Sequence, residues 1–196
     1  MAKLYFKYGA MNSGKSTALL QAANNYEENG MKTLILKPQI DAKGNNRIVS
    51  RLGIERAADY LISDDCNIVS LLGDKLLEVS CIFVDEAQFL SGNQIDDLLE
   101  ITVDYDIPVI CYGLRTDFQT RVFPGSLRLL EVAGSLDEIK TICYCGKKAT
   151  FVLREVNGKP VFDGDQVVID NQAKVLYKSL CPRCYLERKR EANKIE

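Results

Sequence analysis

Not one histidine occurs in the 196 residues. That removes the usual general base and the commonest neutral metal ligand, so acid-base work falls to carboxylates and any zinc to sulfur. A long hydrophobic run is also lacking, since nothing approaches the ~20 apolar residues that span a bilayer, and no membrane partner is expected. The opening stretch MAKLYFKYG enters a strand pattern at once, without a cleavable signal, so the expected location is the cytoplasm. Net charge is nearly absent, at -2 from 25 basic and 27 acidic side chains. No overall field draws such a chain onto nucleic acid, and no nucleic-acid partner is expected. What the chain does have is 46% apolar residues, enough for the core of one ordinary domain plus a small appendage, and seven cysteines. In a reducing cytosol these read as thiols or metal ligands rather than as a disulfide framework.

Over roughly the first 135 residues short apolar strands alternate with helical stretches, the pattern of a parallel sheet covered on both faces. Leu4, Phe6 and Tyr8 mark a first strand, and Ala18, Leu19, Ala22, Ala23 and Tyr26 a helix closed by Gly30. TLIL at 33–36 is a second strand stopped by Pro38, and residues 45–63 read as a polar, irregular loop. Ile68, Leu71, Leu72 and Leu76 predict a helix, CIFV at 81–84 a buried strand, Ile95, Leu98, Leu99 and Val103 a helix, and VICY at 109–112 a strand. A boundary is expected near Thr141, past which cysteine pairs flank a β-hairpin turning at Asn157-Gly158. From Tyr185 a charged helix is expected. Its glutamates interleave with its basic residues, which favours a solvated face over a nucleic-acid finger.

The strongest motif is YGAMNSGKST, which contains G-x-x-x-x-G-K-[ST] as Gly9, Gly14, Lys15 and Ser16 between a strand and a helix. Backbone N–H groups around Ser13 to Thr17 then converge on phosphate oxygens at the helix N-terminus. Lys15 supplies charge to the β- and γ-phosphates of ATP, and the Ser16 hydroxyl suits Mg²⁺. Seventy residues on, CIFVDEAQF presents Asp85 and Glu86 at the C-terminal end of a buried strand, the sheet edge where ligands bind. Asp85 is the expected Mg²⁺ partner and Glu86 the candidate base. With a free pKa of about 4.3, a glutamate cannot deprotonate an alcohol outright, but it can accept the proton as the bond to phosphorus forms. A Glu86 that merely caps the following segment is the plainer alternative.

C-Y-C (Cys143, Cys145) and C-P-R-C (Cys181, Cys184) offer four thiolates for a tetrahedral, structural zinc. A ribbon this small has too few apolar residues to fold alone, and metal binding is expected to stabilise it by about 10 kcal/mol. Cys66, Cys81 and Cys111 stand singly among apolar neighbours and read as buried thiols.

In that order, phosphate loop, DEAQF and late sulfur ribbon resemble the type II thymidine kinases, the small zinc-containing cytosolic family, in its bacterial and phage branch. GAMNSGKS with Met11, LKPQID (36–41), VSRLG (49–53), VDEAQFL and above all YGLRTDFQ (112–119) carry the resemblance over nearly the whole chain. The fold it implies is a P-loop NTPase-like α/β domain at 1–140, followed by a zinc-ribbon and lasso domain with a C-terminal helix at 141–196. The implied activity is transfer of the γ-phosphoryl of ATP to the 5′-hydroxyl of thymidine, with dTTP as feedback inhibitor and a homotetramer as the assembly. By the resemblance Glu86 is the catalytic base. Gly9, Ala10, Met11, Asn12, Ser13, Gly14, Lys15, Ser16, Thr17, Asp85 and Gln88 would surround ATP. Met11, Phe89, Leu114, Phe118 and Phe123 would line the thymine slot, and Tyr177 would close it. Each aromatic has a core reading as well. Arg51 and Arg115 are candidates for phosphate contact, with surface ion pairing as the alternative. One departure stands out: Asp170-Asn171 follows VVI (167–169) where the family usually has a glycine pair.

Two rival readings remain open at this point. DExQ after a phosphate loop also occurs in helicase-type ATPases, which couple two such domains across a basic cleft. A nucleotide-gated zinc adaptor without turnover would make Glu86 dispensable.

Overall fold

The structure is a computed structural model and describes residues 1–40, 46–166 and 174–194. The lasso stretch 167–173, with Asp170-Asn171, and Asp41 of LKPQID lie outside the described residues. In chain order the elements run β1 (Leu4–Tyr8), α1 (Lys15–Glu28), β2 (Thr33–Pro38), β3 (Arg47–Val49), β4 (Glu55–Ala57), β5 (Tyr60–Ile62), α2 (Ile68–Leu72), β6 (Cys81–Val84), α3 (Gly92–Asp104), β7 (Val109–Gly113), α4 (Pro124–Val132) and β8 (Ser135–Glu138). Then follow β9 (Thr141–Ile142), β10 (Lys148–Ala149), β11 (Phe151–Val156), β12 (Lys159–Val161), β13 (Val175–Leu180) and α5 (Pro182–Ala192).

Six strands form one sheet in the order β5-β2-β6-β7-β1-β8, and every pairing in it is parallel. A parallel sheet needs cover on both faces, which is why its strands read as unbroken apolar runs. Alternation sorts the side chains. Leu34, Leu36, Ile82 and Val84 face a core built with Ile68 of α2, Ile95 and Leu98 of α3, and Leu129 of α4. Ile35 and Phe83 point the other way, into a second core with Leu19, Leu20 and Ala23 of α1 and Ile48 of β3. Full burial of each leucine, isoleucine, valine or phenylalanine among them contributes about 1.5–3 kcal/mol. α1 ends as expected, with Gly30 at φ 73 just past it, and α3 starts at a reciprocal capping box between Ser91 and Gln94.

Residues 46–63 are more ordered than their polarity suggests, which corrects the reading of 45–63 as an irregular loop over the described part. Arg47–Val49 and Glu55–Ala57 pair as an antiparallel hairpin, and Tyr60–Ile62 adds the outer strand β5 to the parallel sheet. Arg47, Glu55 and Arg56 place charge in the short hairpin strands and mask their period-two signal, while three-residue β5 is too short to show one. The Ile68–Leu76 pattern is not one helix either. Gly73, at φ 47, ends α2, and residues Gly73–Leu77 continue as a 3-10 turn.

Beyond β8 the elements are smaller. β9 and β10 form a two-stranded hairpin, and β12-β11-β13 a three-stranded antiparallel sheet. The β11–β12 turn falls at Asn157-Gly158 as expected, with φ of 50 and 80. The apolar core here is slight: Ala149, Leu153, Leu180 and Tyr185 with Cys143, Cys181 and Cys184. On α5, Arg183 pairs with Glu187 and Arg188 with Glu191, so its charges are largely matched within the helix.

Candidate functional site

The glycine loop joins β1 to α1 along the C-terminal edge of the sheet, flanked by β7 and β8 through the bonds Gly9 N–H to Gly113 O and Ile139 N–H to Tyr8 O. Its shape depends on two glycines. A Cβ at Gly9 would strike the Ser13 side chain and lie 2.6 Å from the Ile139 carbonyl oxygen, while Gly14 opens the helix at φ 88. Asn12 is also left-handed, at φ 64. These turns direct the N–H groups at the start of α1 inward, the geometry of an anion cradle. Lys15 is buried, with its ammonium 3.1 Å from the Ala10 carbonyl. The Ser13 hydroxyl is buried within the loop with no partner among the described residues, so a phosphate oxygen arriving there would find a donor.

β7 separates β6 from β1, and the acidic pair ends β6 on the same edge as the loop. The N–H of Asp85 still bonds to Leu36 O of β2, so this carboxylate is held by the last rung of the ladder. Its two oxygens lie 3.4 and 3.3 Å from the Ser16 hydroxyl. Cis oxygen ligands of an octahedral Mg²⁺ stand about 2.9 Å apart, so this pair fits such an ion with little adjustment. At Glu86 the chain leaves the strand in a left-handed turn, φ 50 and ψ 38, and residues Ala87–Phe89 continue as a 3-10 turn. A glutamate in that region is uncommon and costs on the order of 1 kcal/mol.

Gln88 explains what the turn achieves. Its side chain is fully buried; Nε2 donates to Glu86 Oε2 at 2.5 Å and Oε1 accepts from the Leu114 N–H at 3.0 Å. Space for it exists because Gly113 has no side chain: a Cβ there would come within 2.8 Å of Gln88 Oε1. Leu114 O in turn accepts from the Ser126 hydroxyl at 2.5 Å. Gly125 lets α4 approach the turn, since a Cβ would lie 2.7 Å from Leu90 O. Next to the acidic pair, burial, reinforced by the nearby Cys81 and Asp85, holds the Tyr112 phenol well above its ordinary pKa, so it stays neutral.

Of the aromatic candidates, two are in direct contact. Phe89 and Phe123 meet edge to face with ring centres 5.6 Å apart. Phe118 and Leu114 are buried, and Met11 is half-buried in the loop. The Met11 carbonyl accepts from the Ser179 hydroxyl of β13, which joins the loop to the sulfur ribbon. Tyr177 lies two residues earlier on that strand, directly opposite Arg154 of β11. Arg115 packs at the junction of loop and ribbon, 5.9 Å from the Tyr8 ring centre, in a small cavity with Gly9, Ala10, Glu138 and Thr150. Arg51 is not brought in: it is exposed on the β3–β4 turn and makes no ion pair among the described residues.

Three contributors were not anticipated from sequence. Asp117 accepts from the N–H groups of Gln119 and Arg121 and from the Gln166 side chain. Arg154 is buried beneath Phe118, and Ser179 ties down the loop. Two adjacent charged residues, Arg154 and Glu155, in the otherwise apolar strand segment FVLREV were the one available signal.

The sulfur cluster assembles from three elements. Cys143 begins a tight turn closed by Gly146 at φ 81, Cys181 precedes α5, and Cys184 lies in its first turn. No disulfide joins any of the seven cysteines. The four sulfurs all lie within 4.8 Å of one another, with Cys145 and Cys181 3.6 Å apart. Sulfurs about 2.3 Å from a tetrahedral zinc stand about 3.8 Å from each other, so the set fits a metal ion. The Cys184 N–H lowers the Cys181 thiol, whereas the neighbouring sulfurs and burial raise Cys184 itself. Cys81, too, is pushed up to about 12 by burial. Cys111 is buried on β7 in the opposite core, whereas Cys66 is only partly covered.

A family model described as thymidine kinase matches residues 2–185. The thymidine kinase of Ruegeria pomeroyi is 47% identical over 191 residues, covering 95% of each chain. That of Rhizobium meliloti is 47% identical over 97% of this chain and 100% of its own. The Photorhabdus laumondii thymidine kinase is 46% identical over 99% and 97% respectively. Among solved structures, the Pif1 helicase of Candida albicans overlays 72% of this chain and 36% of its own at a TM-score of 0.43 and 13% identity, too loosely to bear on function. With a phosphate loop, an acidic strand end and a four-sulfur ribbon in one chain, and relatives matched along nearly its full length, the protein belongs to the thymidine kinase family.

Proposed function

We propose that this chain transfers the γ-phosphoryl of ATP to the 5′-hydroxyl of thymidine. The observation that carries the reading is the acidic pair at the end of β6, where Asp85 faces Ser16 and Glu86 is gripped at 2.5 Å by Gln88. The loop N–H groups and Lys15 bind the β- and γ-phosphates, and Lys15 exchanges its Ala10 carbonyl for phosphate oxygen. Ser16 and Asp85 would hold Mg²⁺, which would neutralise charge on the phosphates. Glu86 accepts the proton of the 5′-hydroxyl as the new O–P bond forms, and in a loose transition state its orientation matters more than its basicity. Gln88 occupies one carboxylate oxygen and leaves the other for the alcohol. The edge-to-face pair Phe89 and Phe123 walls an apolar slot with Met11, Leu114 and Phe118, and Tyr177 closes over it.

The sulfur cluster takes Zn²⁺ in a structural role, because all four ligands come from protein and none of the catalytic groups above touches it. We take the α/β domain as 1–140 and the ribbon and lasso domain as 141–196, a division supported by the change from the parallel sheet at β8 to the small hairpin at β9. Seven free thiols accord with a cytoplasmic setting, and among the described residues no helix is long and apolar enough to cross a membrane. A homotetramer and feedback inhibition by dTTP rest on the family resemblance. Incubation with ATP, Mg²⁺ and each deoxynucleoside in turn tests the reading. Thymidine 5′-monophosphate is the expected product; release of free phosphate independent of nucleoside would overturn it.

A further inference from the structure

Arg154 is a buried cation that the reaction as described does not use. Only 3% of its surface is exposed, and among the described residues no carboxylate pairs with it. Its guanidinium donates instead to two backbone carbonyls, Nη1 to Asp165 at 2.8 Å and Nη2 to Asp163 at 2.9 Å. The guanidinium carbon lies 3.6 Å from the ring centre of Phe118, and Nε is buried with no partner among the described residues. A buried charge with no counter-ion among the described residues is costly, so two carbonyl acceptors and a ring around one guanidinium point to a position held for geometry rather than for stability.

The three groups it joins belong to different parts of the chain. Phe118 sits in the loop after β7, and its carbonyl is fixed separately by the Tyr185 hydroxyl at 2.6 Å. Residues 163–166 follow β12 and are also tied to that loop by Gln119 Nε2 to Gly164 O at 2.7 Å and by Gln166 Nε2 to Asp117 Oδ2 at 2.9 Å. Tyr177 is the direct cross-strand partner of Arg154, so the two share one face of the sheet. Gly164, at φ 106, passes so close that a Cβ would stand 3.0 Å from Nη2.

We infer that Arg154 is a positioning residue for nucleoside binding: it fixes the Phe118 ring and the 163–165 segment together, and so sets the width and selectivity of the pyrimidine slot. The inference rests on the proposed thymidine kinase reading. Lysine in its place keeps the charge but loses the planar fork and the stacking. Arg154→Lys is therefore expected to raise KM for thymidine about tenfold, the scale of one desolvated cation–π contact, with kcat and the KM for ATP nearly unchanged. Discrimination of thymidine from deoxycytidine should narrow by a similar factor. Gly164→Ala, on a different element, should raise the same KM by displacing the guanidinium, so the inference does not depend on the fold tolerating one variant. In a double-mutant cycle Arg154→Lys and Phe118→Leu should be non-additive, because the first acts through the second.

Thymidine phosphorylation by the unmodified protein checks the underlying reading separately. Given that activity, an unchanged thymidine KM in both variants, or equal losses toward thymidine and ATP, would overturn the role of Arg154.

Discussion

The Gln88 amide nitrogen lies 2.5 Å from a Glu86 carboxylate oxygen, while the oxygen of the same amide accepts the Leu114 N–H at 3.0 Å. One buried amide thus transfers the rigidity of the β7 end to a carboxylate on a left-handed turn. Glu86→Gln should cut kcat by about 10²–10⁴ while leaving ATP affinity intact, the range for loss of a general base. Gln88→Leu should lower kcat without abolishing it, and should destabilise the fold by about 1–3 kcal/mol because the Leu114 N–H loses its acceptor. Steady-state kinetics with equilibrium ATP binding and urea melts check both; an undiminished rate in Glu86→Gln would remove that residue from the chemistry.

Gly9→Ala should abolish ATP binding while the remainder of the sheet persists. The added methyl would meet Ser13 and the Ile139 carbonyl at 2.6 Å, so the loop must open before anything else moves. Fluorescent nucleotide titration and circular dichroism together distinguish this from global unfolding.

Stability should fall in alkali. Burial raises the Cys81 thiol from 9.0 to about 12 and raises Cys111 and Tyr112 as well. A group raised in the folded state favours folding fully below its unfolded pKa, and that contribution disappears as the pH climbs toward the folded value. For Cys81 the window is therefore from 9.0 up to about 12. Urea midpoints measured across that range should decline, and Cys81→Ala should flatten the decline.

Removing the metal should unfold the ribbon first. With so small an apolar core beside the cysteines, chelation is expected to withdraw on the order of 10 kcal/mol. Limited proteolysis should then cut within residues 141–194 while the parallel sheet resists, and thymidine phosphorylation should fail. Cys184→Ser should reproduce the effect in the untreated protein.

Sequence alone made the parallel core legible because strands buried on both faces carry their own signature, as CIFV and VICY do. The phosphate loop, the acidic strand end and the cysteine pairs were legible because their chemistry constrains spacing along a short stretch. β5 and β8 were not. Their segments YLI and SLDE are edge strands whose pairing comes from a distant neighbour, so little in them repeats locally. Arg154 escaped for the same reason: an isolated arginine acquires meaning only when Phe118 and residues 163–165 are brought around it. Gln88 was placed with ATP from its motif; its bonds to Glu86 and Leu114 could be read only from coordinates.

The backbone at Glu86, with φ 50, sets selection for catalysis against selection for a sturdy fold. Glycine would rest there without strain, so Glu86→Gly is the kind of substitution that drift would supply and a thermal screen would reward. Lineages relieved of the need for salvage should lose this carboxylate early while keeping a well-folded, nucleotide-binding shell.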